Sequence, residues 1–154
     1  MKVLVAAVGK PRNPALAAAI SDYEERAARY WPLEWHEVRE EPAKSVSADL
    51  VREREGERLL KVIPSSARVV ACDPGGTGQS SELFSAWLQS ERELGRDVAF
   101  VIGGAYGLSG AVLNRAQGRL LLAPWTLPHE LARLVLAEQL YRAGTIVRRE
   151  PYHK

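Results

Sequence analysis

The stretch DVAFVIGGAYGLSG, Asp97–Gly110, decides how this chain is read. Asp97 to Ile102 is a short, largely apolar run, which predicts a buried strand. Four glycines follow within eight residues, at positions 103, 104, 107 and 110, and Ser109 stands where it can cap a short helix. A strand that opens through glycines lets the backbone approach a ligand closely at the strand's carboxyl end.

Outward from that stretch, strands and helices alternate. Lys2 to Val8 is an apolar, β-branched run, and Asn13-Pro14 supplies a helix cap with proline in the first turn. Leu33 to Val38 predicts a second, weaker strand. Ser45-Val46-Ser47 leads into a charged helix reaching about Ile63, whose thin apolar stripe predicts a surface position. Arg68 to Cys72 reads as the third strand, Asp73 to Gln79 as a glycine loop, and Ser80 to Leu94 as a helix closed by Gly95. Downstream, Arg119 to Leu122 predicts a fifth strand, and Leu127 to Ala143 the longest apolar helix. The alternation predicts an α/β fold with a mainly parallel sheet of five to six strands and helices on both faces.

Three glycine- or proline-containing segments then fall beyond the ends of buried strands: Asp73–Gly78, Gly103–Gly107 and Ala123–Thr126. Any one of them alone is ordinary turn chemistry. Together they predict one ligand site.

Composition limits what that ligand and its setting are. A chain of 154 residues, 46% of them hydrophobic, fits one domain with a real core. A net charge of +2 is too mild to announce a nucleic-acid binder, so any basic patch must be local. One cysteine, Cys72, leaves no internal disulfide and no thiolate-rich metal site, and the expectation is no metal. The Val3–Val8 run is too short for a signal peptide and no window is long enough for a spanning helix, which predicts a cytoplasmic protein without a membrane partner. The phosphate signatures fare poorly. No G-x-x-x-x-G-K-[ST] pattern is present, and Gly76-Thr-Gly-Gln-Ser-Ser81 matches the dinucleotide fingerprint only in part. Downstream of Gly103 no Asp or Glu occurs before Glu130, so the acid that would grip a ribose is missing. The loops also lack clustered Lys or Arg, which favours a ligand with little phosphate. A nucleotide-dependent enzyme on an unknotted sheet and a noncatalytic RNA-binding module remain open on this reading.

The run Phe100-Val-Ile-Gly-Gly-Ala-Tyr-Gly-Leu-Ser109, with Thr126-Leu-Pro-His129, Glu138-Gln-Leu-Tyr-Arg-Ala143 and the ending Pro151-Tyr-His153, resembles the ribosomal large-subunit pseudouridine N3-methyltransferase family of the SPOUT class. The resemblance spans the whole chain. It implies a homodimer with a C-terminal trefoil knot. The knot would bind S-adenosyl-L-methionine, and the enzyme would methylate N3 of a pseudouridine in large-subunit ribosomal RNA, within the assembled ribosome. By the same resemblance the cofactor residues are Cys72, Gly103, Gly104, Leu122, Ala123, Pro124, Trp125, Thr126 and Leu127. Two positions depart from the family pattern: leucine is usual where Cys72 stands, and Ser-x-Met where this chain has Ala123-Pro124-Trp125. Cys72 reads as a lining residue, since no neighbour in sequence would activate a thiolate.

Transfer to a pyrimidine N3 requires loss of an imide proton, so a nearby base or cation is expected. His129, Arg142 and His153 are the candidates, and Tyr152 offers a face on which a base can stack. The segment Arg148–Lys154 gathers three further cations around Tyr152 and His153. The last helix carries Leu131, Leu134, Val135, Leu136 and Leu140 around most of its circumference, which predicts a second copy against its outward side, with Leu136 facing out and Glu138 paired to Arg142.

Overall fold

The computed structural model describes every residue from Met1 to Lys154. Val3–Val8 forms β1 with all six side chains buried, which requires cover on both faces of the strand. The other strands are β2 (Leu33–Val38), β3 (Arg68–Thr77), β4 (Val98–Ile102) and β5 (Gly118–Leu120). All five lie in one parallel sheet in the order β2-β1-β4-β3-β5. Between and after them run α1 (Pro14–Ala28), α2 (Ala48–Val62), α3 (Ser81–Glu93), α4 (Gly110–Arg115) and α5 (His129–Val147).

Local signals set the helix starts. The Asn13 side chain accepts the N–H of Ala15 at 2.9 Å, and the hydroxyls of Ser47, Ser80 and Ser109 each accept the N–H three residues on. Alternation along β1 then sorts the layers. Val3, Val5 and Ala7 join Ala27 of α1, Leu88 of α3 and Leu136 and Leu140 of α5. Leu4, Ala6 and Val8 join Leu59 of α2 and Val112 of α4. Helices therefore cover both faces, as the strand pattern implied.

Three expectations change. Asp73–Gln79 is not wholly a loop: β3 runs on to Thr77, after a register slip against β5 between Cys72 and Thr77. The cause is that β5 would otherwise leave backbone groups unpaired, and the Leu121 N–H donates to the Thr77 carbonyl at 3.1 Å. The charged α2 is not merely a surface element, because Val51, Glu55 and Leu59 recur at four-residue spacing and are all buried. Leu136 does not face outward: it is fully buried, since α5 lies against both α1 and α3. Leu131 and Leu134 are the partly exposed leucines of that helix.

A buried cation fixes α5 to the sheet. Arg133, 6% exposed, donates to Glu24 of α1 at 2.8 Å and to Glu37 of β2 at 2.6 Å, and its guanidinium lies 4.8 Å from the centre of the Trp35 ring. Arg133→Ala would leave two carboxylates facing each other with no cation between them. A loss of about 3 kcal/mol is expected, read as a lower urea midpoint with an unchanged slope.

Candidate active site

The carboxyl ends of β3 and β4 and the connection from β5 to α5 meet over one edge of the sheet. Cys72 to Pro74, Ile102 to Leu108 and Thr126 to His129 line a single cleft of about 640 Å3. Of the three segments singled out in the sequence, Gly103–Gly107 lines this cleft throughout, whereas the first contributes only Asp73 and Pro74 and the third only Thr126. Cys72, Leu122, Ala123, Trp125, Thr126 and Leu127 also line a narrow recess of about 80 Å3 that shares Cys72, Thr126 and Leu127 with the cleft. Pro124 is exposed beside it, and Trp125 stands 80% exposed at the tip.

The backbone is packed closely here. A β-carbon on Gly103 would sit 2.7 Å from the carbonyl carbon of Gly107 and 2.9 Å from its oxygen. Only a residue without a side chain lets the loop fold onto itself at that point. The lining includes no lysine or arginine, and its carboxylate is Asp73. Asp73 also accepts the Gly75 N–H at 3.0 Å and lies 4.0 Å from Arg119 outside the lining, and the absence of lining lysine or arginine suits a ligand with little phosphate.

Burial pushes the Cys72 thiol up to about 12, and the adjoining Asp73 charge adds to the effect. Cys72 is a wall of the cleft and not a nucleophile. In the folded protein at pH 8 it is expected to react with a disulfide reagent at least about a hundredfold more slowly than free cysteine, because the thiolate is the attacking form. Equal rates, followed at the absorbance of the released thiol, would contradict this placement.

The four proposed catalytic side chains do not come together. His129 opens α5, borders the cleft, and places Nε2 3.8 Å from Glu40 Oε1. It does not cap its helix by a side-chain bond. Arg142, Tyr152 and His153 lie elsewhere, and none of them lines the cleft. Arg142 donates from Nε to Glu138 Oε1 at 2.9 Å, which makes the expected pair along the helix. The Tyr152 hydroxyl donates to the same oxygen at 3.0 Å, and its ring lies 4.6 Å from that of Tyr141. Burial raises the Tyr152 hydroxyl's pKa, and Glu138 raises it further.

The His153 ring bridges Arg142 at 3.2 Å through Nδ1 and Glu82 at 2.8 Å through Nε2. Since arginine can only donate, Nδ1 accepts and the ring proton on Nε2 goes to Glu82. The Glu82 carboxyl is held down at about 2 by its own backbone N–H, the Ser80 hydroxyl and His153. The chain terminus is therefore fastened across α5 and the start of α3.

Sequence reading missed a second, larger cleft. About 940 Å3 in volume, it opens over the ends of β1 and β2 and shares Ala105, Tyr106 and His129 with the first. Glu40 and Glu55 line it. Glu55 was discoverable, because it occupies the position between Val51 and Leu59 on the stripe that α2 buries.

Residues 1–153 match the family described as "Predicted SPOUT methyltransferase". A protein of Gemmatimonas aurantiaca named ribosomal RNA large subunit methyltransferase H is 63% identical over 154 residues, the full length of both chains. One of the same name from Anaeromyxobacter sp. is 47% identical, again over the whole of both. A crystal structure of a hypothetical protein shares the fold at 20% identity and a TM-score of 0.52, over 96% of this chain and 89% of that one. No helix of the chain is long and apolar enough to cross a membrane.

Proposed function

The chain belongs to the SPOUT methyltransferase family, and on that premise we propose that it methylates N3 of a pseudouridine in large-subunit ribosomal RNA, with S-adenosyl-L-methionine as donor. The observation that carries the reading is the cleft itself, in which three strand-end segments converge with one carboxylate and no lysine or arginine. Bound there, S-adenosyl-L-methionine supplies a methyl group activated by its sulfonium charge. The Asp73 carboxylate favours a cation in the cleft. Gly103 brings main chain against the ligand, and Leu122 to Leu127 supply apolar walls and backbone groups for a purine ring. The relatives' names bring ribosomal RNA as the substrate class, and the motifs that resemble the pseudouridine N3-methyltransferases bring the acceptor atom. That activity belongs in the cytoplasm, where ribosomes are.

The finer architecture follows the same resemblance. The β5–α5 connection returns from the sheet edge to line a cleft with the β3 and β4 loops, and this is the crossing at which a trefoil knot would close. Mechanical unfolding that recovers the full contour length of the chain would argue against a knot. A homodimer joined through the outer side of α5 gives the terminal segment a purpose. Tyr152 and His153, which lie away from the cleft of their own chain, would be carried toward the partner's. Sedimentation of a monomer at micromolar concentration would end that reading.

The deciding experiment incubates the protein with labelled S-adenosyl-L-methionine and ribosomes lacking the modification, then digests the large-subunit RNA to nucleosides. Label in 3-methylpseudouridine supports the assignment. Binding of NAD in place of S-adenosyl-L-methionine by calorimetry, or RNA binding with no cofactor, would replace it.

A further inference from the structure

The larger cleft contains a carboxylate with little to hold it. Glu55 is 5% exposed, and its only hydrogen bond is a long one, from the Glu41 N–H to Oε1 at 3.4 Å. Oε2 has no partner, and no arginine or lysine pairs with the group. Oε2 is not closed off from solvent, so the carboxylate stands on the buried stripe of α2 and opens onto the cleft that it lines. A local rule broken without evident structural gain points to a use elsewhere.

Its position indicates the use. A β-carbon on Gly104 would sit 2.5 Å from Glu55 Oε2, so this glycine admits the carboxylate against the back of the loop whose front lines the cofactor cleft. Ala105, Tyr106 and His129 form the border between the two cavities. A methyl donor on one side and an acceptor on the other would meet at that border. Resting on the methyltransferase reading above, we propose that the larger cleft is the acceptor-base pocket and that Glu55 takes the N3 proton during transfer.

The step balances. The N3–H proton passes to a Glu55 carboxylate oxygen, and the electron pair left on N3 forms the bond to the methyl carbon. The carbon–sulfur pair stays on sulfur, which leaves as a neutral thioether. The negative carboxylate and positive sulfonium are both neutralised, and the proton then leaves through the open side of the larger cleft. Burial raises the Glu55 carboxyl above its ordinary range, which makes it a stronger base than an exposed glutamate. The charged groups around it are Glu40 and Glu41 from the β2–α2 connection and Arg58 of α2, with Lys10, Arg12, Glu37, Arg39 and His129 elsewhere on the cleft wall.

The test compares Glu55→Gln, Glu55→Asp and the wild type in single-turnover methyl transfer to ribosomes. Glu55→Gln is expected to slow transfer by about a hundredfold to ten-thousandfold, with affinities for S-adenosyl-L-methionine and ribosomes unchanged. The wild-type rate should climb with pH through the raised carboxyl pKa and then level, a limb absent from Glu55→Gln and partly restored in Glu55→Asp. Folding has its own sign. A carboxyl with a raised folded-state pKa stabilises the protein below its unfolded pKa and loses that contribution as pH rises through the folded one. Glu55→Gln should therefore melt higher than wild type at pH 8 and not at pH 4. An unchanged rate overturns the proposal, as does a loss of rate matched by loss of cofactor affinity, which would make Glu55 a support for the Gly104 loop. If the wild type itself places no methyl group on ribosomal RNA, the methyltransferase reading fails and this proposal with it.

Discussion

A Gly103→Val protein is expected to fold and to bind S-adenosyl-L-methionine about a hundredfold more weakly than wild type. The added β-carbon would meet main-chain atoms of Gly107 at 2.7 and 2.9 Å and the Leu108 side chain at 3.1 Å. Backbone cannot turn aside as a long side chain can, so the loop must move outward into the cleft proposed to hold the cofactor. Displacements of this kind cost about 1–3 kcal/mol, and every kilocalorie falls on the ligand-bound state if the loop relaxes when the cleft is empty. Calorimetric titration reads the change, with circular dichroism as the check on folding. Gly103→Ala brings the same β-carbon contact with fewer atoms and should fall between. Wild-type affinity in the valine variant would remove this loop from the cofactor site.

Deletion of Pro151 to Lys154 is expected to reduce ribosomal RNA methylation by two to four orders of magnitude while leaving S-adenosyl-L-methionine affinity intact. No residue of the deleted segment lines the cleft proposed to hold the cofactor, so the deletion separates binding of the donor from transfer to RNA. The segment supplies the aromatic face of Tyr152 and one cation, Lys154, the kinds of group that RNA recognition needs. Its loss also uncovers Tyr141 and strips His153 from Arg142 and Glu82. A stability loss of about 1 kcal/mol accompanies it, from one aromatic contact and partly exposed polar bonds. His153→Ala refines the outcome: a fall in single-turnover rate at saturating ribosomes marks a part in stabilising the reacting base beside the Glu55 step, and a fall in affinity alone marks RNA binding. Full activity in the truncated protein would separate the tail from function altogether.

The parts of the fold that were legible are those where one local signal suffices. Asn13, Ser47, Ser80 and Ser109 marked four helix starts because a cap is a short-range bond. Val3–Val8 and Val98–Ile102 marked central strands because continuous burial leaves a continuous apolar run. The end of β3 was illegible, since Asp73 to Thr77 has the composition of a turn and becomes strand only because β5 lies beside it. The direction of Leu136 was hidden for a related reason: a helix wedged between two others buries a wider arc than a wheel can assign. At the site, Gly103–Gly107 could be found from glycine placement, and its meeting with residues that follow β3 and β5 comes from the parallel sheet. The separation of His129 from Arg142 and His153 could not be found, because all three sit in one helix and its tail, and only packing shows that they serve different sides.

Strand order has a consequence for how the protein is made. The β1 strand pairs with β2 on one edge and with β4 on the other, and the Lys2 N–H bonds the Asp97 carboxylate across 95 residues of chain. High contact order of this kind slows folding, because the long loop must close before the pairing that rewards it. During synthesis the first strand emerges with one hydrogen-bonding edge that nothing yet made can cover. At about 5–20 residues per second, it waits about 5–20 seconds for β4 to be translated. For that interval the segment Val3–Val8, apolar on both faces and open along one edge, is the part of the nascent chain most exposed to pairing with another copy on the same messenger.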